Sequence, residues 1–489
     1  MVQAFWYSFI FVAGAASIAV EIAGLRLLAP LFGSSLPVWG TAIATVLAGL
    51  AIGYAKGGRL AQREPTKELV FRLAALGATL FLWMPTAFAL AHRLPALGAF
   101  ALAYLALFFP SVIFGLLSPL IVQTEANRKN QPAGQVAGRV SAISTIGSLV
   151  GILLPSFITI PLLGTQATVW LFAGLLLAFC AAHFLIFSRL FLSVLALAAA
   201  AVGSTPLLQP QDPTIIFAAE TQHQYVTVRQ TNTARRLSYD ADLGTQSIIT
   251  NSLYADGYWD YLAALPALLP HANDNISVLV IGAAASTTER QLQRFWDTIK
   301  NPRFTSVELD GDLFPIADAY FDPPERRQVT ADGRRFMTTD TGAYDMIVVD
   351  VYAREMTVPF HVATKEFFDA ARHRLTPAGI VAININALSA DTLWVRSLAR
   401  TLSASFPELR LVEVPRSCNW LLLASEAQLD TANLATQNLP PALTPLLPTL
   451  QSATAPRTDG LLLTDDRSPT DLLGLAALTF GTPTPSCRA

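Results

Sequence analysis

Charged residues are scarce in this chain. Asp, Glu, Lys and Arg make up 14% of its 489 residues, and the net charge is −2. Ordinary soluble domains contain about 25% charged residues, so we expect much of this chain to lie in lipid. A net charge this close to zero gives no reason to expect nucleic acid as a partner.

Cysteine is also nearly absent. The three cysteines, Cys180, Cys418 and Cys487, have no metal-ligand spacing, and they predict neither a metal site nor a disulfide framework. Cys180 lies inside an apolar run, where we interpret it as a small core residue. The first segment lacks a cleavage-site pattern and further apolar runs follow it, so we interpret it as a retained helix and not as a signal peptide.

Long apolar runs fill the first 209 residues. A helix needs about 20 apolar residues to cross the hydrocarbon core of a membrane. Runs that reach or approach this length are 5–29, 38–55, 69–91, 97–122, 140–162, 165–187 and 190–207. They predict an all-α transmembrane bundle of about seven helices over residues 1–209. The glycine pairs Gly49 with Gly53 and Gly147 with Gly151 predict close packing between helices.

Basic residues mark three connections of this half as cytoplasmic, because cytoplasmic loops are enriched in Lys and Arg. These residues are Lys56, Arg59, Arg63, Lys67 and Arg72, then Arg128, Lys129 and Arg139, then Arg189. Seven spans would place the second half of the chain outside the cytoplasm, and one miscounted span would place it inside. Both alternatives stay open. We expect a multi-pass protein of the bacterial inner membrane with membrane lipid as a partner, and oligomerisation is possible.

Two charged residues, Glu21 and Arg26, lie in or near the first helix. Charge at membrane depth is costly and is often functional. A structural ion pair and snorkelling towards the interface are the alternatives.

Charged residues become frequent after Pro210, and the pattern changes to short strands and helices. Alternating residues from Tyr225 onwards predict a small β region over 210–274. Four apolar strands alternate with helices over 275–480, which predicts an α/β Rossmann-like domain with a parallel, doubly wound sheet. Residues 481–489 are rich in Pro, Thr and Ser and predict a flexible tail.

Candidate site residues stand at the predicted carboxyl ends of these strands, where such sheets bind ligands. Gly282 allows a turn of the backbone close to a ligand. Glu308 follows about 26 residues later, where a carboxylate can bind both ribose hydroxyls. Asp332 is a candidate acceptor for an adenine amino group, and Asp350 is a candidate base. The alternative is that these acids only cap helices and turns.

Several stretches together resemble a known family, the spermidine synthases or polyamine aminopropyltransferases. The whole chain resembles their membrane-fused, spermidine synthase-like relatives. The stretches are Gln222-His-Gln-Tyr-Val-Thr-Val, Val307-Glu-Leu-Asp, Val349-Asp-Val-Tyr, Pro359-Phe-His-Val-Ala-Thr-Lys-Glu-Phe-Phe, Asn419-Trp-Leu-Leu-Leu-Ala-Ser and Leu463-Thr-Asp-Asp-Arg-Ser-Pro, with Glu21-Ile-Ala-Gly-Leu-Arg-Leu-Leu-Ala-Pro and Gly57-Gly-Arg-Leu-Ala-Gln-Arg in the first half.

The resemblance implies a reaction and a set of roles. S-adenosylmethionine or its decarboxylated form is a substrate that donates an aminopropyl or related group to an amine, with no permanently bound cofactor and no metal. Methylthioadenosine leaves. Gln224 and Gln246 would contact the nucleoside, Glu308 the ribose and Asp332 the adenine. Asp350 would help to deprotonate the amine. Tyr258 and Tyr352 would line the substrate pocket.

Departures from the family pattern affect the amine side of the pocket. The loop Gly282-Ala-Ala-Ala-Ser lacks the aspartate that holds the donor's amine, and Ala353 replaces a second acid. A polycation needs acids to offset its desolvation, and Glu355 or Asp260 are the candidates here. Four functions stay open: aminopropyl transfer, cleavage of S-adenosylmethionine without an acceptor by a lyase or cyclase, a nucleoside-binding sensor or transporter, and methyl transfer.

Overall fold

The structure is a computed structural model. It describes residues 2–32, 36–91, 93–184, 212–240, 244–269, 275–352, 358–432, 434, 439–480, 483–484 and 487. The chain divides into two compact units. The first comprises Met1–Pro213 and Glu220–Tyr225, and the second comprises Thr214–Ala219 and Val226–Ala489.

The first unit is helical. Its helices are α1 Val2–Phe32, α2 Leu36–Ala61, α3 Lys67–Ala91, α4 Ala96–Lys129, α5 Ala133–Leu154, α6 Ile160–Leu163 and α7 Thr165–Phe184, with a π-helical turn Pro155–Thr159 between α5 and α6. Six spans of the described helices are long and apolar enough to cross a membrane. This confirms a helical bundle of about the predicted size. The seventh predicted run, 190–207, lies outside the described residues.

Glycine sets the distance between helices in this unit. Gly147 of α5 lies against the backbone of Phe11 in α1, and Gly151 lies against that of Ala15. A Cβ atom at either glycine would collide with a carbonyl oxygen of α1, so a larger residue would force the helices apart. The packing role predicted for this glycine pair is confirmed.

Arg26 of α1 has partners other than Glu21. Its Nη2 donates hydrogen bonds of 3.0 Å to the carbonyl oxygens of Thr221 and Gln222. Its Nε lies 3.5 Å from a carboxylate oxygen of Glu220. All three partners belong to the same unit. Arg26 therefore forms a structural ion pair, and its carboxylate partner is Glu220.

The second unit contains two sheets. The smaller sheet is antiparallel in β2, β3 and β4, with strand order β1-β2-β3-β4. Its strands are β1 Ile215–Glu220, β2 Tyr225–Gln230, β3 Ala234–Tyr239 and β4 Ser247–Thr250. Val226, Val228 and Leu237 bury their side chains against Ala284 and Ala285, which follow the first strand of the larger sheet. The predicted small β region is therefore present.

The larger sheet has seven strands in the order β10-β11-β9-β8-β5-β6-β7. They are β5 Ser277–Ile281, β6 Arg303–Glu308, β7 Arg326–Thr330, β8 Tyr344–Val349, β9 Leu375–Asn386, β10 Glu408–Glu413 and β11 Asn419–Ser425. Strands β5 to β9 run parallel, whereas β11 and β10 run antiparallel to their neighbours.

Helices cover both faces of this sheet. They are α8 Tyr258–Ala264, α9 Thr287–Lys300, α10 Leu313–Tyr320, α11 Gly333–Thr339, α12 Lys365–Arg374, α13 Leu393–Ser403, α14 Leu447–Gln451 and α15 Thr470–Thr479. Successive side chains of a strand point to opposite faces. In β5, Val278 and Val280 join one core, and Leu279 and Ile281 join the other. The Rossmann-like fold predicted from the sequence is confirmed.

The structure corrects the cysteine prediction. Cys418 and Cys487 form a disulfide, although no disulfide framework was expected. A separation of 69 residues leaves no local spacing signal. Cys487 belongs to the segment 481–489, which was predicted as a flexible tail. Of its described residues, Cys487 is held by this bond, and the amide of Thr484 donates to the carbonyl oxygen of Leu388 at 2.9 Å.

Candidate active site

The candidate site lies at the carboxyl ends of neighbouring parallel strands. Gly282 follows β5, Glu308 ends β6 and Asp350 follows β8. The amides of Gly282 and Asp350 donate to the carbonyl oxygens of Val307 and Ile281, at 2.9 and 3.0 Å. Parallel pairing therefore brings these predicted residues together at one edge of the sheet.

Gly282 allows the loop after β5 to approach the end of β8. Its φ is +83°, in the region that favours glycine. A Cβ atom here would collide with the carbonyl oxygen of Asp350. Ala284 and Ser286 also have positive φ, of 46° and 63°. The loop is thus held in a tight conformation although it contains a single glycine.

Glu308 holds this loop. One of its carboxylate oxygens accepts a 3.0 Å hydrogen bond from the amide of Ala284, and the other accepts one of 3.1 Å from the amide of Asp310. Burial raises the pKa of Glu308 to about 7, although these amide donors oppose the shift. A carboxylate has about four acceptor positions, so Glu308 retains capacity for the ribose hydroxyls that it was predicted to bind.

Asp350 accepts two hydrogen bonds from side chains. The hydroxyl of Tyr258 donates to Oδ2 at 2.7 Å, and Nδ2 of Asn384 donates to Oδ1 at 3.0 Å. Burial raises the pKa of Asp350 to about 6, and the bonds from Asn384 and Tyr258 oppose that shift. A carboxylate with this pKa is mostly ionised at pH 7 and can accept a proton from a reacting group.

The two predicted substrate tyrosines have different partners. Tyr258 binds the carboxylate of Asp350, whereas the hydroxyl of Tyr352 donates to the backbone oxygen of Asn384 at 2.9 Å. Burial and the charge of Asp350 raise the pKa of both phenols well above the ordinary value. Both phenols therefore remain protonated donors at neutral pH.

Asp332 follows β7 and stands at the start of α11. Its Oδ1 accepts a 2.9 Å hydrogen bond from the amide of Arg335, which caps the helix. Its Oδ2 lies 2.8 Å from Nε2 of His361. Helix capping, the alternative considered for these acids, is thus one role of Asp332. Its second oxygen has a side-chain partner that the sequence did not suggest.

The two predicted glutamines precede strands β2 and β4, and the pairing of Val226 with Tyr239 and of Leu237 with Ser247 puts the starts of these strands at the same end of the smaller sheet. Gln224 is in the turn between β1 and β2, and its backbone oxygen accepts from the amide of Thr221 at 2.9 Å. This turn belongs to the first unit. Gln246 immediately precedes β4, next to Ser247, whose Oγ accepts a 2.9 Å hydrogen bond from the amide of Ala285. Gln246 is therefore adjacent in sequence to a residue that holds the glycine loop.

Asp260, a candidate for the missing acids of the amine pocket, is engaged by hydrogen bonds from its own surroundings. Its carboxylate accepts hydrogen bonds from the amides of Ala255 and Asp256, both at 2.9 Å, and from the side chain of Gln291 at 2.6 Å. The residue is 3% exposed. Asp260 thus fixes the loop before α8. Glu355 and Ala353 lie outside the described residues.

Sequence reasoning missed the partners of Asp350 and Asp332. Asn384 is 2% exposed and lies near the end of β9, within its apolar stretch. A polar residue in the apolar run Ile380-Val-Ala-Ile-Asn-Ile was a usable signal, because buried amides need partners. Asn419 and His361 lie within stretches that carried the family resemblance, but no role was assigned to them. Within the described residues, no cluster of three His, Cys, Asp or Glu is placed to hold a metal.

Several known proteins similar to this chain are named as polyamine aminopropyltransferases. It is 27% identical over 288 residues to the probable polyamine aminopropyl transferase of Bifidobacterium longum, covering 54% of this chain and 63% of that protein. It is 24% identical over 456 residues to polyamine aminopropyltransferase 1 of Streptomyces coelicolor, covering 84% and 81%. The resemblance to the polyamine aminopropyltransferases is confirmed.

Coverage differs among these relatives. Polyamine aminopropyltransferase 2 of Pseudomonas aeruginosa is 25% identical over 230 residues, which cover 44% of this chain and 63% of that protein. The chain thus spans less than two thirds of the Bifidobacterium and Pseudomonas relatives. The Streptomyces match reaches into the helical half, because its 84% share exceeds the part of the chain after Pro213. No family model matches the chain.

Solved structures with some similarity include spermidine synthases. The crystal structure of spermidine synthase from Thermotoga maritima is 18% identical, covers 55% of this chain and 85% of that chain, and gives a TM-score of 0.37. A probable spermidine synthase from Corynebacterium glutamicum is 17% identical, covers 50% and 97%, and gives a TM-score of 0.38.

Proposed function

We propose that this chain transfers an aminopropyl group from an adenosyl sulfonium to an amine and releases methylthioadenosine. The observation that carries the proposal is the Asp350 carboxylate, which Tyr258 and Asn384 orient at the strand end beside the Glu308 loop. The names of the sequence relatives support this reaction class. Decarboxylated S-adenosylmethionine is the candidate donor of the aminopropyl group itself, and S-adenosylmethionine is the candidate donor of the related group that keeps the carboxylate.

The reaction requires an acceptor amine without its proton. The amine nitrogen forms a bond to the propyl carbon attached to sulfur, and the C–S bond breaks with its electron pair left on sulfur. Asp350 takes the proton that the nitrogen loses, because its carboxylate is ionised above a pKa of about 6. Tyr258 and Asn384 hold both carboxylate oxygens, which directs the remaining lone pairs towards the substrate.

Glu308 is assigned to the nucleoside. Hydrogen bonds from ribose hydroxyls would favour its ionised form, against the burial that raises its pKa to about 7. Asp332 is assigned to the adenine amino group, and Gln246 lies beside the residue that anchors the glycine loop. The helices of the first unit are assigned to anchoring the protein in a membrane, since six of their spans are long and apolar enough.

Cleavage of S-adenosylmethionine without an acceptor is the second candidate. It is favoured by Asp260, whose carboxylate is committed to Ala255, Asp256 and Gln291. An intramolecular displacement needs no acids for a second ammonium group. Asp350 would then act on a group of the donor itself.

Product analysis separates these functions. We would incubate the full-length protein in detergent with S-adenosylmethionine or its decarboxylated form, with and without putrescine, and follow the nucleoside by mass spectrometry. Methylthioadenosine that requires putrescine supports the transferase. Its release without amine supports cleavage, S-adenosylhomocysteine would indicate methyl transfer, and binding without any product would indicate a sensor or transporter.

Asp350→Asn tests the catalytic assignment. We expect a loss of about 10²- to 10⁴-fold in kcat, the usual contribution of a positioned general base. The matched control is Asp391→Asn, because Asp391 is 71% exposed and pairs with Arg457 at the surface. If both variants retained activity, Asp350 would not be the base.

A further inference from the structure

The amide of Asn384 connects Asp350 to a residue on another strand. Nδ2 of Asn384 donates to Asp350, and Oδ1 of Asn384 accepts a 2.9 Å hydrogen bond from Nδ2 of Asn419. Asn384 lies in β9 and Asn419 begins β11, which pairs antiparallel with β9. In this register Asn384 faces Leu421, so Asn419 is its diagonal neighbour on the same face of the sheet.

An asparagine amide presents a donor at one end and an acceptor at the other. Asp350, when ionised, can only accept, so it requires the NH2 end of Asn384. If the amide of Asn384 were turned over, its oxygen would face the carboxylate and its NH2 group would face the NH2 group of Asn419. Both contacts would be repulsive. The donor from Asn419 therefore favours the orientation in which Asn384 stabilises ionised Asp350.

We propose that Asn419 is a positioning residue for Asp350, which acts by fixing the amide orientation of Asn384. This role rests on the proposed function, since it assigns Asn419 to the same general base. The side chain of Asn419 donates to Asn384, and Asn384 in turn donates to the carboxylate. Its effect reaches Asp350 through one side chain, which makes the coupling testable.

Few other groups affect the charge of Asp350. The titratable side chains that face it among the described residues are the phenols of Tyr258 on α8 and Tyr352 after β8. Burial raises the pKa of both phenols well above the ordinary value. Neither phenol changes its charge between pH 5 and 8. Glu308 also titrates in this range, so a shift is assigned to Asp350 only for the band that Asp350→Asn removes.

The test is Asn419→Asp, which keeps the size of the side chain and replaces its donor with an acceptor. The new carboxylate would accept from the NH2 group of Asn384 and turn the amide over. We expect the pKa of Asp350 to rise by about one unit. Infrared spectroscopy of the carboxylic acid band, identified by its loss in Asp350→Asn, measures this pKa without requiring turnover.

A double-variant cycle separates positioning from the added charge. Asn384→Leu removes the connecting amide, and Asn419→Asp is then compared in the presence and absence of that change. We expect most of the shift in the Asp350 titration to disappear when Asn384 is absent. An equal shift in both backgrounds would show that the new charge acts directly, and no shift in either would show that Asn419 has no influence. Both results overturn the proposal.

Activity gives a second readout. Below pH 6 we expect Asn419→Asp to lower kcat about tenfold, with a smaller loss above pH 8, because a one-unit rise leaves less ionised base only on the acid side. Asn419→Gln retains a donor and should restore most of the wild-type pH profile. If the wild type released no methylthioadenosine, the proposed function would fail, while the infrared titration would still decide the role of Asn419.

Discussion

Asp350 combines two opposing requirements. A base must be ionised to accept a proton, yet its surroundings disfavour charge, and burial raises the pKa from the ordinary value of 3.8 to about 6. Tyr258 and Asn384 offset part of this cost by donating to the two oxygens. The remaining cost should appear as lost stability, because a raised carboxyl pKa means that the folded state holds the proton more tightly than the unfolded chain.

The sign of this effect is defined by the two pKa values. The stabilising contribution of Asp350 is fully present below pH 4 and is lost as the pH rises to about 6. Over that pH window the full pKa shift of Asp350 corresponds to a change of about 3 kcal/mol in the free energy of unfolding. Asp350 is partly accessible to solvent, which screens its charge. We therefore expect the free energy of unfolding to change by about 1–2 kcal/mol.

Asp350→Asn should therefore stabilise the protein at neutral pH while it lowers the proposed activity. We expect its midpoint of thermal unfolding to exceed that of the wild type by roughly 2–6 °C at pH 7.5. The difference should shrink towards zero at pH 4. Glu308 is present in both proteins, so its own titration cancels. A variant that is less stable by the same amount at both values of pH would contradict the cost assigned to Asp350.

At the scale of elements, the loop after β5 depends on one glycine. Gly282 has a positive φ and lies against the carbonyl oxygen of Asp350. In Gly282→Ala the new Cβ must displace either this loop or the end of β8. The same loop is held by Glu308 and Ser247. A shift would thus separate the nucleoside residues from the base.

We expect Gly282→Ala to lower the free energy of unfolding by about 1–3 kcal/mol and to weaken the binding of methylthioadenosine at least tenfold. Gly138→Ala is the control, because Gly138 lies in α5 with no neighbouring atom within 4 Å of a new Cβ. Calorimetric titration with methylthioadenosine and thermal unfolding measure both effects. Equal nucleoside affinity for wild type and Gly282→Ala would remove the loop from the binding site.

Individual elements also show how far the sequence could predict the site. Glu308 and Asp350 end apolar strands, and the edge of a parallel sheet brings such ends together whatever the distance in sequence. Asn384 and Asn419 meet only through the antiparallel register of β9 and β11, which periodicity does not specify. The sequence offered Asp260 as a candidate acid for the amine pocket. It did not indicate that the amides of Ala255 and Asp256, in the preceding loop, donate to this carboxylate.

At the scale of the whole molecule, the disulfide bears on the side of the membrane that the second unit faces. Cys418 and Cys487 pair within that unit. Disulfides persist in oxidising compartments and are rare in the bacterial cytoplasm. The basic residues predict that the connection between α2 and α3 is cytoplasmic, and with that orientation seven spans would place the second unit outside. The bond thus favours the first of the two alternatives that the sequence left open.

We expect the second unit to lie outside the cytoplasm, and single cysteines can test this in spheroplasts. In a Cys180→Ala background that keeps the disulfide, Asp466→Cys places an exposed thiol on the second unit, and Arg63→Cys places one between α2 and α3. A membrane-impermeant maleimide should label the first thiol in intact spheroplasts and the second only after lysis. If neither thiol were labelled before lysis, the second unit and the connection between α2 and α3 would both lie in the cytoplasm. The donor would then be taken from the compartment in which it is made.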